Sequence, residues 1–196
     1  MEVLRVPGPA WARRATDAAI LLGVASFVAA CWFDHDVVAL FALVLLGLTV
    51  PRVAGLHGGV QAAAGLTFVV SAWAATLDWY EQVASLDLLA HALGNGLLAV
   101  VLVTGLVRLR MVPMPGPGLA AGAGVVVVTV AVGFAVGVLW EVGEWWGHTH
   151  LDDAIQVGYD DTIGDLAAGG FGSLLAGLVL AGPGRGSLTT DRVHRG

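Results

Sequence analysis

The sequence predicts an all-α, polytopic membrane protein of six transmembrane helices with both termini in the cytoplasm. Composition, the spacing of apolar runs and the placement of the arginines each predict it. Of 196 residues, 57% are hydrophobic and 12% charged, against about 25% charged in a soluble domain. Mean hydropathy is +0.83. Such a chain cannot clothe itself in a water-facing surface. Apolar runs near the ~20 residues that cross a bilayer recur along it, and the alternating ten-residue strands of a β-barrel are missing. A net charge of −6, with no arginine cluster on a polar face, excludes a nucleic-acid binder. The length fits one helical domain over residues 1–196 and leaves no room for a separate soluble one.

Each span is bounded by the chemistry of its neighbours. The first, about 17–33, opens at Thr16-Asp17, where Asp17 has the character of a helix N-cap. It closes on Asp34-His35-Asp36, the natural tight polar turn before the second span, about 36–51. Pro51 to Gly59 breaks the chain again, and His57 falls in that loop. The third span, about 60–78, ends before Trp79-Tyr80-Glu81, an interfacial anchor. The fourth, about 86–107, stops at Arg108. The fifth, about 119–146, follows the Pro113 to Gly118 stretch and is too long for a perpendicular crossing, so it tilts or projects. The sixth, about 162–181, leads into a short polar C-terminus.

All nine cations are arginines, and they occupy one set of ends. Arg5, Arg13 and Arg14 precede the first span and Arg52 follows the second. Arg108 and Arg110 follow the fourth, and Arg185, Arg192 and Arg195 follow the sixth. The positive-inside rule makes those ends cytoplasmic, in a bacterial inner membrane. Twelve acids collect at the opposite ends, together with every tryptophan except Trp11, as an interfacial aromatic belt would. Arg13-Arg14, an apolar run and Val28-Ala29-Ala30-Cys31 together resemble a lipoprotein signal. Cleavage there would leave five spans and set the next loop on the wrong side for its charges. Cys31 is therefore read as a small core residue, and a lone cysteine forms neither an intramolecular disulfide nor a thiolate cage.

Ionisable groups inside a membrane are costly, so they are functional candidates by default. Three helices carry them in register. Asp87, His91 and Asn95 lie four apart on one face of the fourth span. Glu141 and Glu144 stand about a turn apart on the fifth, and Asp161 and Asp165 one turn apart on the sixth. Gly133 and Gly137 continue the stripe inward from Glu141, as Gly169 and Ser173 do from Asp165. Small residues four apart allow close helix approach in lipid, so these faces are expected to meet. Gly23 in the first span carries no such expectation.

Five carboxylates and one imidazole crowded together without an arginine need protons or a cation. Carboxylates with one imidazole suit Mg, Mn, Fe or Zn as a divalent ion. The expected ligands are Asp87, His91, Glu141 and Asp165, with Glu144 and Asp161 as general base or further ligand. A proton-sharing or ion-pathway cluster and a structural hydrogen-bond network stay open as alternatives.

The Asp87/His91 pair, the Trp140-Glu-x-x-Glu-Trp145 run and the Tyr159-Asp-Asp-Thr162-x-x-Asp165 run resemble the YjdF family of small bacterial inner-membrane proteins. The likeness covers residues from about 70 to 181. That family is distantly similar to VanZ-like proteins, which set an Asp-x-x-x-His helix before one opening with an acidic pair. The resemblance implies a six-helix membrane protein and brings no reaction with it.

From the residues themselves, the leading function is a metal-dependent membrane enzyme acting on a lipid-linked or headgroup substrate at the outer leaflet. No Ser-His-Asp arrangement, phosphate-binding glycine loop or cofactor fingerprint points elsewhere. An ion-binding or transport protein is the first alternative. Transporters set their polar groups near the midplane, whereas here the cytoplasmic halves of the spans are apolar. A structural or accessory membrane subunit without catalysis is the other. His148, His150, Asp152 and Asp153 read as a solvated loop above the cluster rather than an accessory site. Asn95 is either a partner of His91 or an interhelical hydrogen-bonding residue.

Overall fold

The computed structural model describes residues 6–112 and 119–182, which are helical with short connections. The elements are α1 (Ala10–Ala30), α2 (His35–Val53), α3 (Gly58–Thr76), α4 (Trp79–Gln82), α5 (Ala84–Arg108), α6 (Leu119–His150) and α7 (Tyr159–Ala181). No strand occurs among the described residues. The expected Pro113 to Gly118 break, together with Arg5, Arg185, Arg192 and Arg195, lies outside them. Helices α2, α3, α5, α6 and α7 are long and apolar enough to cross a membrane. Large apolar side chains such as Leu21, Leu46, Val127, Leu139 and Val179 stand exposed on the helix surfaces, which a bilayer accommodates and water does not.

Helix α1 starts seven residues before the expected 17, with Pro9 at its N-cap. Asp17 therefore caps nothing. It lies inside the helix and pairs with Arg52 at 3.1 Å, so α1 carries three charged residues in its first half. Among the described residues, the cap with a side-chain role is His57, whose Nδ1 accepts from the Gly59 N–H at 3.1 Å and opens α3. Gly8 seals this corner: its φ of +122° belongs to glycine, and a Cβ would sit 2.9 Å from His57 Nε2. Thr16, buried, reaches from α1 to the Gly58 carbonyl at 2.9 Å.

The helices form two three-membered groups. In the first, α1, α2 and α3 pack on one another around Ala19, Phe41, Val44, Leu48, Val69 and Ala72. In the second, α5 packs on α7 and both on α6, around Val100, Val103 and Leu180. Helix α3 lies against α5 and joins the two. Two expectations fail in the first group. Cys31 is exposed, in the turn after α1, rather than in the core. Trp73 leaves the aromatic belt: its indole donates to Ser26 Oγ at 2.9 Å and its ring tilts onto Phe41. Gly23 also stands at a contact, since a Cβ there would lie 2.3 Å from Leu48 Cδ1.

Candidate functional site

The acid-bearing faces of α5, α6 and α7 turn toward one another because glycine lets the backbones close in. Gly172 is the tightest point, where an added Cβ would lie 1.8 Å from the Ala92 carbonyl oxygen of α5. Gly96 faces the Gly172 carbonyl across the same crossing. On α6, a Cβ at Gly133 would lie 1.9 Å from Ser173 Oγ, whose hydroxyl donates to the Gly169 carbonyl. Asn95 fills the next level outward. Its side chain is buried, and its Nδ2 lies 2.1 Å from a Cβ built at Gly169 and 3.0 Å from one at Gly137. The sequence stripe of small residues is thus the floor on which the acids rest.

One turn farther out, α5 and α7 bring three groups together. One ligand atom each of Asp87, His91 and Asp165 lies within 4.8 Å of the others. His91 Nε2 is 3.5 Å from Asp87 Oδ1 and 3.7 Å from Asp165 Oδ2. Asp165 is 3% exposed, as deep as an apolar core residue. The Asp87 and Asp165 carboxyls lie within hydrogen-bonding reach of each other. Helix α6 contributes from the third side. Glu141 has a buried Oε1 with no hydrogen-bond partner, and Glu144, beside the Trp140 indole, lies in the field of Glu141, Asp165 and Asp87. Asp161 acts on both Asp87 and Asp165. Of the four expected ligands, then, three meet directly, and Glu141 is outside that convergence, acting on Asp165 through its charge. A buried carboxylate oxygen without a partner is costly, so this arrangement has room for a proton or a cation in its hydrogen-bonding scheme.

The profile described as a predicted membrane protein, DUF2238, matches residues 15–184. The chain belongs to the DUF2238 family. The YjdF proteins whose motifs it resembles are that same family. Neither the curated proteins nor the solved structures contain a match. The DUF2238 stretch takes in both helix groups and every acid of the cluster.

Sequence reasoning takes Trp79-Tyr80 as an interfacial anchor in preference to a substrate-entry lip, and gives Tyr80 no place at the cluster. Asp78 adopts a left-handed φ of 55°, and the turn it makes carries α4 over the outer end of the site. The Tyr80 hydroxyl donates to the Ser71 carbonyl at 3.0 Å. Burial pushes the phenol up to about 12, and Asp87, Glu144 and Asp165 add to that. It stays a neutral donor at any physiological pH. Beside it, Gln156 of the α6–α7 connection donates to Glu81 at 3.4 Å.

His148 and His150, expected in a solvated loop, instead form the last turn of α6, and with the segment after it they have local roles. His148 Nδ1 lies 2.7 Å from the Ile155 carbonyl, the His150 ring packs on Trp146, and Asp152 accepts from the Ala154 N–H. His35, exposed, and Asp36, half-buried, open α2.

Proposed function

We propose that the outer cluster of α5–α7 is a divalent-metal site of a membrane enzyme acting on a lipid-linked or headgroup substrate. The observation that carries this reading is the convergence of Asp87, His91 and Asp165 within 4.8 Å. The donor set fits the group: carboxylates with one imidazole suit Zn, Mn, Mg or Fe, and the orphaned Glu141 oxygen offers a fourth ligand. A bound ion would supply Lewis acidity or an activated water. Glu144 and Asp161 are assigned as general base or further ligand. The neutral Tyr80 phenol, its hydrogen given to the Ser71 carbonyl, stands over the mouth.

Elemental analysis of the purified protein tests the metal. About one divalent ion per chain is expected, retained by Asp34→Asn and lost by His91→Ala. Because ligands must be deprotonated, metal content should fall as the buffer is acidified. Metal-free protein that takes up none of the four ions on titration overturns the reading. In its place would stand a proton shared between Asp87 and Asp165, tying α5 to α7; that separation of carboxyls is the observation favouring a structural role.

The proposal includes six spans, with α1 completing the five long apolar helices, in a bacterial inner membrane with both termini cytoplasmic. Support comes from Arg13, Arg14, Arg52, Arg108 and Arg110, which lie at the ends opposite the acid cluster. Since Cys31 is exposed, labelling requires a Cys31→Ser background. On intact cells an impermeant thiol reagent should modify His150→Cys and spare Arg110→Cys. The reverse pattern would invert the topology and move the site to the cytoplasm.

A further inference from the structure

The face shared by α1 and α2 carries a groove of about 640 Å³, remote from the acid cluster. Leu21 and Val24 of α1 and Leu45 of α2 wall it, Leu48 floors it, and Asp17 and Arg52 close one end. The Thr49 hydroxyl, also in the lining, is turned onto the Leu45 carbonyl at 2.7 Å. Below the ion pair the groove is therefore apolar. Asp17 to Val24 spans seven residues, or about 10 Å of helix, enough for the upper part of an acyl chain laid along the helices.

The end of the groove has its own chemistry. Asp17 and Arg52 pair at 3.1 Å, with Asp17 60% exposed and Arg52 23%. A molecule entering meets the carboxylate first and the guanidinium behind it. An ethanolamine headgroup carries the matching pair of charges: a primary ammonium for Asp17 and a phosphate for Arg52. A choline headgroup has no N–H to donate, and a glycerol headgroup brings only negative charge against Asp17.

We propose that this groove holds a phospholipid with a primary-amine headgroup, its acyl chain between α1 and α2 and its headgroup on the Asp17–Arg52 pair. Native mass spectrometry of the full chain, incubated with equimolar dioleoyl phosphatidylethanolamine, phosphatidylcholine and phosphatidylglycerol, tests it. The ethanolamine lipid should dominate the retained adducts. Asp17→Asn should lower its retention about tenfold, the effect of losing one hydrogen bond between charged groups, and abolish the preference over phosphatidylglycerol. Val24→Trp, on an exposed wall position, should reduce retention of all three lipids. Equal retention of the three lipids by wild type, or an ethanolamine preference that survives Asp17→Asn, overturns the proposal. If Asp17→Asn does not fold, Val24→Trp decides: undiminished retention of the ethanolamine lipid overturns it.

Discussion

Gly172→Ala is expected to lower the melting temperature of the protein in detergent by roughly 6–12 °C. The new Cβ would sit 1.8 Å from the Ala92 carbonyl oxygen. That atom is backbone and cannot rotate away, so α5 and α7 must separate. Overpacking a fitted contact commonly costs 1–3 kcal/mol, and a backbone clash at the most extensive helix pair belongs at about 3 kcal/mol or above. Gly94→Ala is the matched control. It lies on the partner helix α5 with nothing within 4 Å of an added Cβ, so that helix loses only glycine's conformational freedom and should gain about 0.5–1 kcal/mol. The two single-methyl changes should thus move stability in opposite directions. Gly23 is unsuited as a control because of Leu48, although that side chain can swing aside where a carbonyl cannot. Similar melting temperatures for Gly172→Ala and Gly94→Ala would mean that α5 and α7 do not approach through their glycines.

Chelation is expected to lower the melting temperature of the wild-type protein and to leave Asp165→Asn where it was. An ion held at about a hundred times its dissociation constant stabilises the folded state by about 2.7 kcal/mol. For a chain of this length that corresponds to roughly 5–11 °C. Asp165 is the most buried of the three converging groups, and asparagine preserves its shape while removing the charge a cation needs. In a metal-free, proton-sharing cluster the signs differ. Chelator would do nothing to wild type, and asparagine could replace the protonated partner at little cost. A wild-type melting curve unmoved by chelator, together with an unperturbed Asp165→Asn, would establish the structural reading of the cluster.

The site was legible in the sequence because the two signals that build it share one helical period. Asp87-His91-Asn95, Asp161-Asp165-Gly169-Ser173 and Gly133-Gly137-Glu141 each repeat every four residues. A face carrying both acids and glycines has only one low-energy place in a bilayer, against another such face. Tyr80 obeys no period. Its position follows from the left-handed turn at Asp78, and nothing in Asp78-Trp79-Tyr80-Glu81 distinguishes a lid from an anchor. The Asp17–Arg52 pair was hidden for a different reason: it joins residues 35 apart, visible only once α1 and α2 run antiparallel. Trp73 misled because its neighbours are apolar on every side, so hydropathy could not tell the lipid face from the core. The division into two groups of three helices was likewise illegible, since burial against protein and against lipid select the same residues.

That division has a mechanical consequence at Tyr80. The phenol is tied to the Ser71 carbonyl on α3, in the group that contributes none of the clustered acids, while the carboxylates it faces belong to α5, α6 and α7. It is a strut fastened to one half of the molecule and resting above the other. The position of the phenol over Asp87 and Asp165 is therefore set by how α3 is held against α5.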